Sequence, residues 1–184
     1  MANKVKYGLT NVYYAKATDD GTGELTYSTP VRILGGVNLS LDASGDTNTF
    51  YADNIAFFTS TANNGYQGDL EVALLPDSFR TDILGEELDQ TNGIYVEKAN
   101  VPTVEFALLF QFEGDESATR HCLYRCVASR PAVSGSTKEE SIEPQTESLT
   151  ITAMPRLDND IVKSRCPSTA TAYATWFSAV VEPA

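Results

Sequence analysis

His121 is the sole histidine of the chain, so any Ser/His/Asp or Cys/His relay has to pass through it. Its neighbour Cys122 is the nearest nucleophile, but residues 120–128 read as a β-strand, where adjacent side chains point to opposite faces. That alternation separates a nucleophile from its base. A zinc site from His121, Cys122, Cys126 and Cys166 fails for the same reason and lacks the close C-x-x-C spacing of structural sites. Cys122 and Cys126 on one strand would hold their Cα atoms about 13 Å apart, too far to bridge, so they are expected to be buried thiols. The carboxylate pairs Glu86-Glu87, Asp115-Glu116 and Glu139-Glu140 have the groups that glycoside hydrolysis or calcium binding needs, yet adjacent acids in polar stretches are usually solvated surface. Asp158-Asn159-Asp160 lacks the glycine and distal glutamate of a calcium loop. Gly21-Thr22-Gly23, Gly35-Gly36 and Gly65-Tyr66-Gln67-Gly68 lack the order of a phosphate cradle and read as turns. No catalytic residue, cofactor or metal is expected, and the chain is not expected to be an enzyme.

The elements that hold these residues are mainly β. Residues 104–112 place Val104, Phe106, Leu108, Phe110 and Phe112 on one dry face and leave Glu105 and Gln111, with Glu113 just beyond, on a wet one. Leu39 and Leu41 alternate with Asn38, Ser40 and Asp42; Leu70, Val72 and Leu74 with Asp69 and Glu71; Leu149 and Ile151 with Ser148, Thr150 and Thr152. Residues 11–16 form a further strand before the turn at residues 19–23, and residues 49–52 and 55–61 form a pair around the turn dipeptide Asp53-Asn54. One short helix is expected where Pro76-Asp77-Ser78 supplies a capping signal, Phe79 and Ile83 share a face, and Gly85 stops it. Residues 129–148 are polar and acidic and read as a long mobile loop; residues 168–184 suit helix or strand equally. The 184 residues are expected to form a single domain, an antiparallel β-sandwich with one flanking helix.

Charge narrows the partners. With 25 Asp plus Glu against 13 Lys plus Arg, the net charge is -12, the inverse of a protein that grips phosphates. Between Asp53 and Glu97 the only basic residue is Arg80. No apolar run reaches the roughly 20 residues of a membrane span, and the basic residues near Met1 are followed by no apolar signal core. Membrane association is not expected, and cytoplasmic synthesis is.

Taken in order, residues 65–79, then Ile83-Leu84-Gly85-Glu86, Gly93-Ile94-Tyr95-Val96-Glu97, Phe106-Ala107-Leu108-Leu109-Phe110, Arg120-His121-Cys122-Leu123-Tyr124, Arg130-Pro131 and Pro155-Arg156 resemble the major tail protein family of long-tailed, non-contractile bacteriophages. Tyr7-Gly8-Leu9-Thr10-Asn11 and Ala52-Asp53 continue the likeness at the front; beyond Arg156 it thins to Trp176-Phe177 and Pro183. The resemblance implies a tail-tube subunit that assembles with itself into stacked rings of six, meets tape-measure, tail-terminator and distal tail proteins, and passes DNA without adhesion. It implies residence in the virion after assembly in the host bacterial cytoplasm. Within that frame Asp42, Asp69, Glu71, Glu105 and Glu113 are the expected lumen-facing acids. Arg130, Pro131, Thr137, Glu139, Glu140 and Pro144 mark an expected inter-subunit loop, and Phe79, Ile83, Val104, Phe106, Leu108, Phe110 and Phe112 the expected core. A carbohydrate- or receptor-binding β-module competes with this reading and requires an exposed aromatic platform, whereas most aromatics fall at dry-face positions; a secretion-system tube protein of the same fold also competes.

Overall fold

Period-two alternation over most of the chain yields a strand-dominated structure. The computed structural model describes residues 5–115, 117–137 and 145–183. In chain order these form β1 (Leu9–Asp19), β2 (Leu25–Tyr27), β3 (Val31–Ile33), β4 (Gly36–Ser44), β5 (Thr47–Ala52), β6 (Ile55–Thr61), β7 (Gly65–Val72) and α1 (Asp77–Asp82). There follow β8 (Glu87–Asp89), β9 (Ile94–Val96), β10 (Phe106–Phe112), β11 (Arg120–Ala128), β12 (Glu147–Met154), β13 (Lys163–Cys166) and a 3-10 turn at Thr171–Thr175. Nine strands make one sheet in the order β2-β1-β10-β11-β12-β7-β4, with β3 also on β1 and β13 also on β11, while β5-β6 and β8-β9 are separate hairpins.

The sheet turns back on itself at β11, whose first half (Arg120 to Leu123) pairs with β13 and whose second half (Arg125 to Ala128) pairs with β12, all antiparallel. A bulge there, with Leu108 opposite Leu123 but Phe106 opposite Cys126, reverses side-chain parity along β11. The β12-β7-β4 half thus lies over the β1-β10 half as in a β-sandwich, so that a Cβ on Gly36 of β4 would lie 3.0 Å from Val12 of β1. Between the halves Val12, Tyr14, Leu70, Val72, Phe106, Leu108, Leu123, Leu149 and Ile151 are buried together.

Helix α1 closes this core. Phe79 and Ile83 are 0% and 4% exposed, and the Phe79 ring meets Tyr14 and Phe106 edge-on at 5.0 and 5.6 Å. Burial pushes the Tyr14 hydroxyl up to about 12 in pKa, and it donates a hydrogen bond to Asp82 at 3.0 Å. Arg80 reaches Glu147 at the start of β12 at 2.5 Å. Pro76 is the N-cap residue and supplies no side-chain cap, contrary to the capping signal expected from Pro76-Asp77-Ser78; Asp77 instead places a carboxylate in the first turn, against the positive end of the helix dipole. Gly85, at φ +73°, follows the helix as expected.

Three expectations from alternation change. First, β10 does not have a wet face: from Phe106 to Phe110 every residue is buried, because Ala107 and Leu109 are covered by the C-terminal segment. Val104 and Phe112, at its ends, are half-buried. Second, Leu74 is 68% exposed, since β7 stops at Val72 and the chain bends so that Leu75 enters the core instead. Third, residues 168–183 are neither a regular α-helix nor a strand but a strap opened by the 3-10 turn. Phe177 of the strap stacks on Tyr13 at 4.7 Å, Trp176 is buried, the Tyr124 hydroxyl donates to the Val181 carbonyl at 2.7 Å, and the Arg120 guanidinium lies 3.7 Å from the Tyr173 ring centre. Of the long loop, residues 129–137 are irregular, while Glu139, Glu140 and Pro144 lie outside the described residues.

Candidate functional site

Strands β4, β7 and β12 carry their core side chains inward and so must present the alternate set outward. The register makes this outer set a grid: Asn38 faces Glu71, Ser40 faces Asp69 and Asp42 faces Gln67 across β4-β7, and Ser148, Thr150 and Thr152 face Glu71, Asp69 and Gln67 across β7-β12. Asn, Ser, Thr, Gln, Asp and Glu occupy all nine positions, with no lysine, arginine or aromatic group. Gly68 lets β4 approach this closely, since a Cβ there would lie 1.9 Å from the Ser40 carbonyl oxygen. The acids are ordered by neighbours: Thr150 donates to Asp69 at 2.9 Å and Thr146 donates to Glu71 at 2.5 Å. Asp42 and Asp69 border a shallow concavity with Gln67 and Thr150.

The five acids singled out from sequence therefore divide. Asp42, Asp69 and Glu71 share one face. Glu105 instead takes a bidentate grip from Arg125, at 2.9 and 3.0 Å from Nε and 2.8 Å from Nη2, and this hydrogen bonding raises the Arg125 pKa. Glu113 sits at the far end of β10, where its amide donates to the Gly8 carbonyl at 2.8 Å. In the expected loop, Arg130 pairs with Glu97, Arg130 and Pro131 border a small pocket with Arg80 and Glu147, and Thr137 is exposed.

A second feature lies at the mouth of the sandwich, a cleft of about 300 Å³ between β4 and β10-β11. Leu39, Leu41, Phe110, Phe112 and His121 line it, and Lys6 and Lys163 stand on its rim. His121 stacks on Phe110 at 5.1 Å, while Cys122 is fully buried on the opposite side under the strap. Burial raises the Cys122 thiol well above its ordinary value, so neither its position nor its ionisation suits it to be a nucleophile. Burial also lowers the His121 pKa, and Lys163 and Lys6 add to this. Because the folded protein holds the imidazole neutral, the unfolded chain takes up its proton more readily. The stability due to His121 is complete above the ordinary value of 6.5 and is lost as pH falls through the lower folded midpoint. An NMR titration of the His121 ring is expected to give a midpoint below 6.5 in the folded protein; a midpoint at or above that value would refute this environment.

Arg156 is a buried group that sequence reasoning marked only as part of a resemblance. It is 1% exposed, between the Tyr27 and Tyr124 rings, and pairs with Asp158 at 2.7 Å and with Glu182 of the strap at 2.9 Å. Burial opposes its charge, and the hydrogen bonds it donates to Asp158 and Glu182 outweigh that, leaving its pKa raised.

Among the described residues no group of His, Cys, Asp and Glu is arranged to hold a metal ion, and no helix is long and apolar enough to cross a membrane. The profile of the family described as phage tail tube protein matches residues 2–163. The chain belongs to the phage tail tube protein family. No curated protein sequence matches it. As a tail tube protein it is a structural component of the virion that assembles with itself and with other tail proteins. The matched region ends at the first residue of β13, so the strap lies beyond it.

The aromatic residues of β5-β6 are what sequence reading missed. Phe50, Tyr51, Phe57 and Phe58 are all exposed rather than on a dry face. The signal was present: adjacent aromatics, as in Phe50-Tyr51 and Phe57-Phe58, put apolar groups on both faces of a strand, which half-buried strands do not show.

Proposed function

We propose that this tail tube protein polymerises as stacked hexameric rings into a tube that conducts DNA, with Asp42, Asp69 and Glu71 facing the lumen. The observation that carries this reading is the nine-residue outer grid of β4, β7 and β12, which has three carboxylates and no cation. Proteins gain affinity for DNA when lysine and arginine displace the counterions condensed on its phosphates, so a wall of this composition gives it no sticking point. At physiological salt the repulsion reaches only about 8 Å, so it acts as a non-adhesive lining rather than a long-range barrier. Among the described residues strand β4 ends the sheet, and its outer edge is suited to a neighbouring copy, whose pairing would protect it from promiscuous association. Contacts of this kind between unlike surfaces close into rings when the rotation allows.

The tube would be built in the host bacterial cytoplasm around the tape measure and bounded by terminator and distal tail proteins. The part of the expected 129–148 loop that precedes β12, residues 129–146, would dock on an adjacent subunit or ring, since Glu147 and Ser148 already belong to the strand. The protein would work without catalysis. Negative-stain electron microscopy of the concentrated protein tests assembly: rings or tubes are expected, and a persistent monomer rejects it. For the lining, the triple charge reversal Asp42→Lys, Asp69→Lys, Glu71→Lys is expected to preserve tubes but slow DNA release from virions several-fold at low salt, with recovery at high salt. Unchanged release kinetics would reject the lumen assignment.

The exposed aromatics of β5-β6 favour one alternative, a carbohydrate-binding platform. A glycan-binding screen on the monomer separates the two, since the tube reading expects no saturable sugar binding.

A further inference from the structure

The β5-β6 hairpin stands free of the core. Its tight turn holds Asp53 and Asn54 at φ +52° and +61°, and no residue of either strand is buried. Thr47 faces Thr61 and Thr49 faces Thr59 on one side, while Phe50 and Phe58 sit directly opposite each other on the other side, 62% and 61% exposed. An isolated two-stranded hairpin is marginal in water, and a paired aromatic face without cover makes it more so. The hairpin does not occupy the cleft of its own chain, since both rings remain open to solvent.

That cleft has matching chemistry. Its walls are aliphatic and aromatic, from Leu39 and Leu41 on one side to Phe110 and Phe112 on the other. Lys6 lies over the Phe112 ring at 4.8 Å, Lys163 over Tyr66 at 4.2 Å, and Arg165 joins Lys6 in the adjoining depression, where Asp115 is the one acid among the described residues. This local positive charge stands out in a chain of net charge -12. Residues 46–61, in contrast, carry Asp46 and Asp53 and no basic group.

We propose that the Phe50/Phe58 face of the β5-β6 hairpin of one copy inserts into the β4/β10-β11 cleft of the next, with Asp53 directed to the Lys6 and Lys163 rim. The occupant is a second copy because this family assembles with itself, and on that reading the inference rests. Hairpin and cleft are different surfaces of one chain, so the contact is heterologous and repeats from copy to copy. Desolvated aromatics supply the binding energy and the charges set the register.

A photo-crosslinking amino acid in place of Phe58, in a mixture of isotope-labelled and unlabelled protein, tests the contact. In the assembled protein, inter-copy crosslinks are expected to map to residues around Leu41, Tyr66 and Phe112. A charge exchange provides a second test: Asp53→Lys and Lys163→Asp are each expected to raise the concentration needed for assembly at least tenfold, and the double variant to recover most of it. Circular dichroism should show all of these variants folded, since neither position is in the core. Tubes whose crosslinks map to another surface, or single variants that assemble normally, overturn the docking while leaving the tube intact. If the unsubstituted protein forms no ring or tube, the self-assembly reading fails and the docking with it.

Discussion

Phe79→Ala is expected to lower the free energy of unfolding by about 3–5 kcal/mol, the usual range for removing a buried aromatic ring. The ring is 0% exposed and lies edge-on to both Tyr14 of β1 and Phe106 of β10, so truncation removes dispersion contacts on two sides at once. The surroundings have little freedom to collapse. Tyr14 is tied to Asp82 and Arg80 to Glu147, and these polar ties hold the helix backbone where the ring left it. A cavity should therefore remain. Urea denaturation should show the midpoint falling with little change in slope; a loss below about 1 kcal/mol would mean that α1 does not close the core.

Gly65→Ala is expected to cost about 2–5 kcal/mol, from two separate sources. Residue 65 has φ +102°, a conformation that carries a penalty of about 1–2 kcal/mol for an L side chain. Its added Cβ would also fall 1.9 Å from the Ala153 carbonyl oxygen, an overlap that only a shift of β7 against β12 relieves, at about 1–3 kcal/mol more. Gly93→Ala separates the two, since Gly93 has φ +70° but nothing within 4 Å of its would-be Cβ. Denaturation midpoints should place Gly93→Ala near the conformational penalty alone and Gly65→Ala well beyond it. Equal losses would mean that the approach of β12 is not tight. Gly65 also lies where the hairpin rejoins the sheet, opposite Ser44, so the same substitution is expected to impair assembly.

Turn chemistry and alternation were reliable guides wherever one residue and its immediate neighbours decide the outcome. Asp53-Asn54 reads as a tight turn because both types tolerate positive φ, and both adopt it. Residues 120–128 read as a strand and are β11, and Phe79 with Ile83 read as one buried helix face and are so. The strands β2, β3, β8, β9 and β13 were not legible, because three or four residues are too few for a period of two to register. At the candidate face, Asp42, Asp69 and Glu71 were legible as outward-facing. Glu105 looked the same in sequence, and only the fold brings Arg125 against it.

By itself the sequence determined the strand-rich class, the surplus of acid, the placement of His121 and Cys122 on opposite sides of their strand, and the sides of β4, β7 and β12 on which polar groups stand. These depend on side-chain type and on a local period. Tertiary structure alone decided that β10 is covered on both faces, that His121 lines a basic-rimmed cleft, and that the aromatics of β5-β6 have no cover. Alternation says which residues share a side of a strand, but not what lies against that side. For β10 the cover comes from a strap about 70 residues further along the chain, and for β5-β6 none of the described residues supplies any.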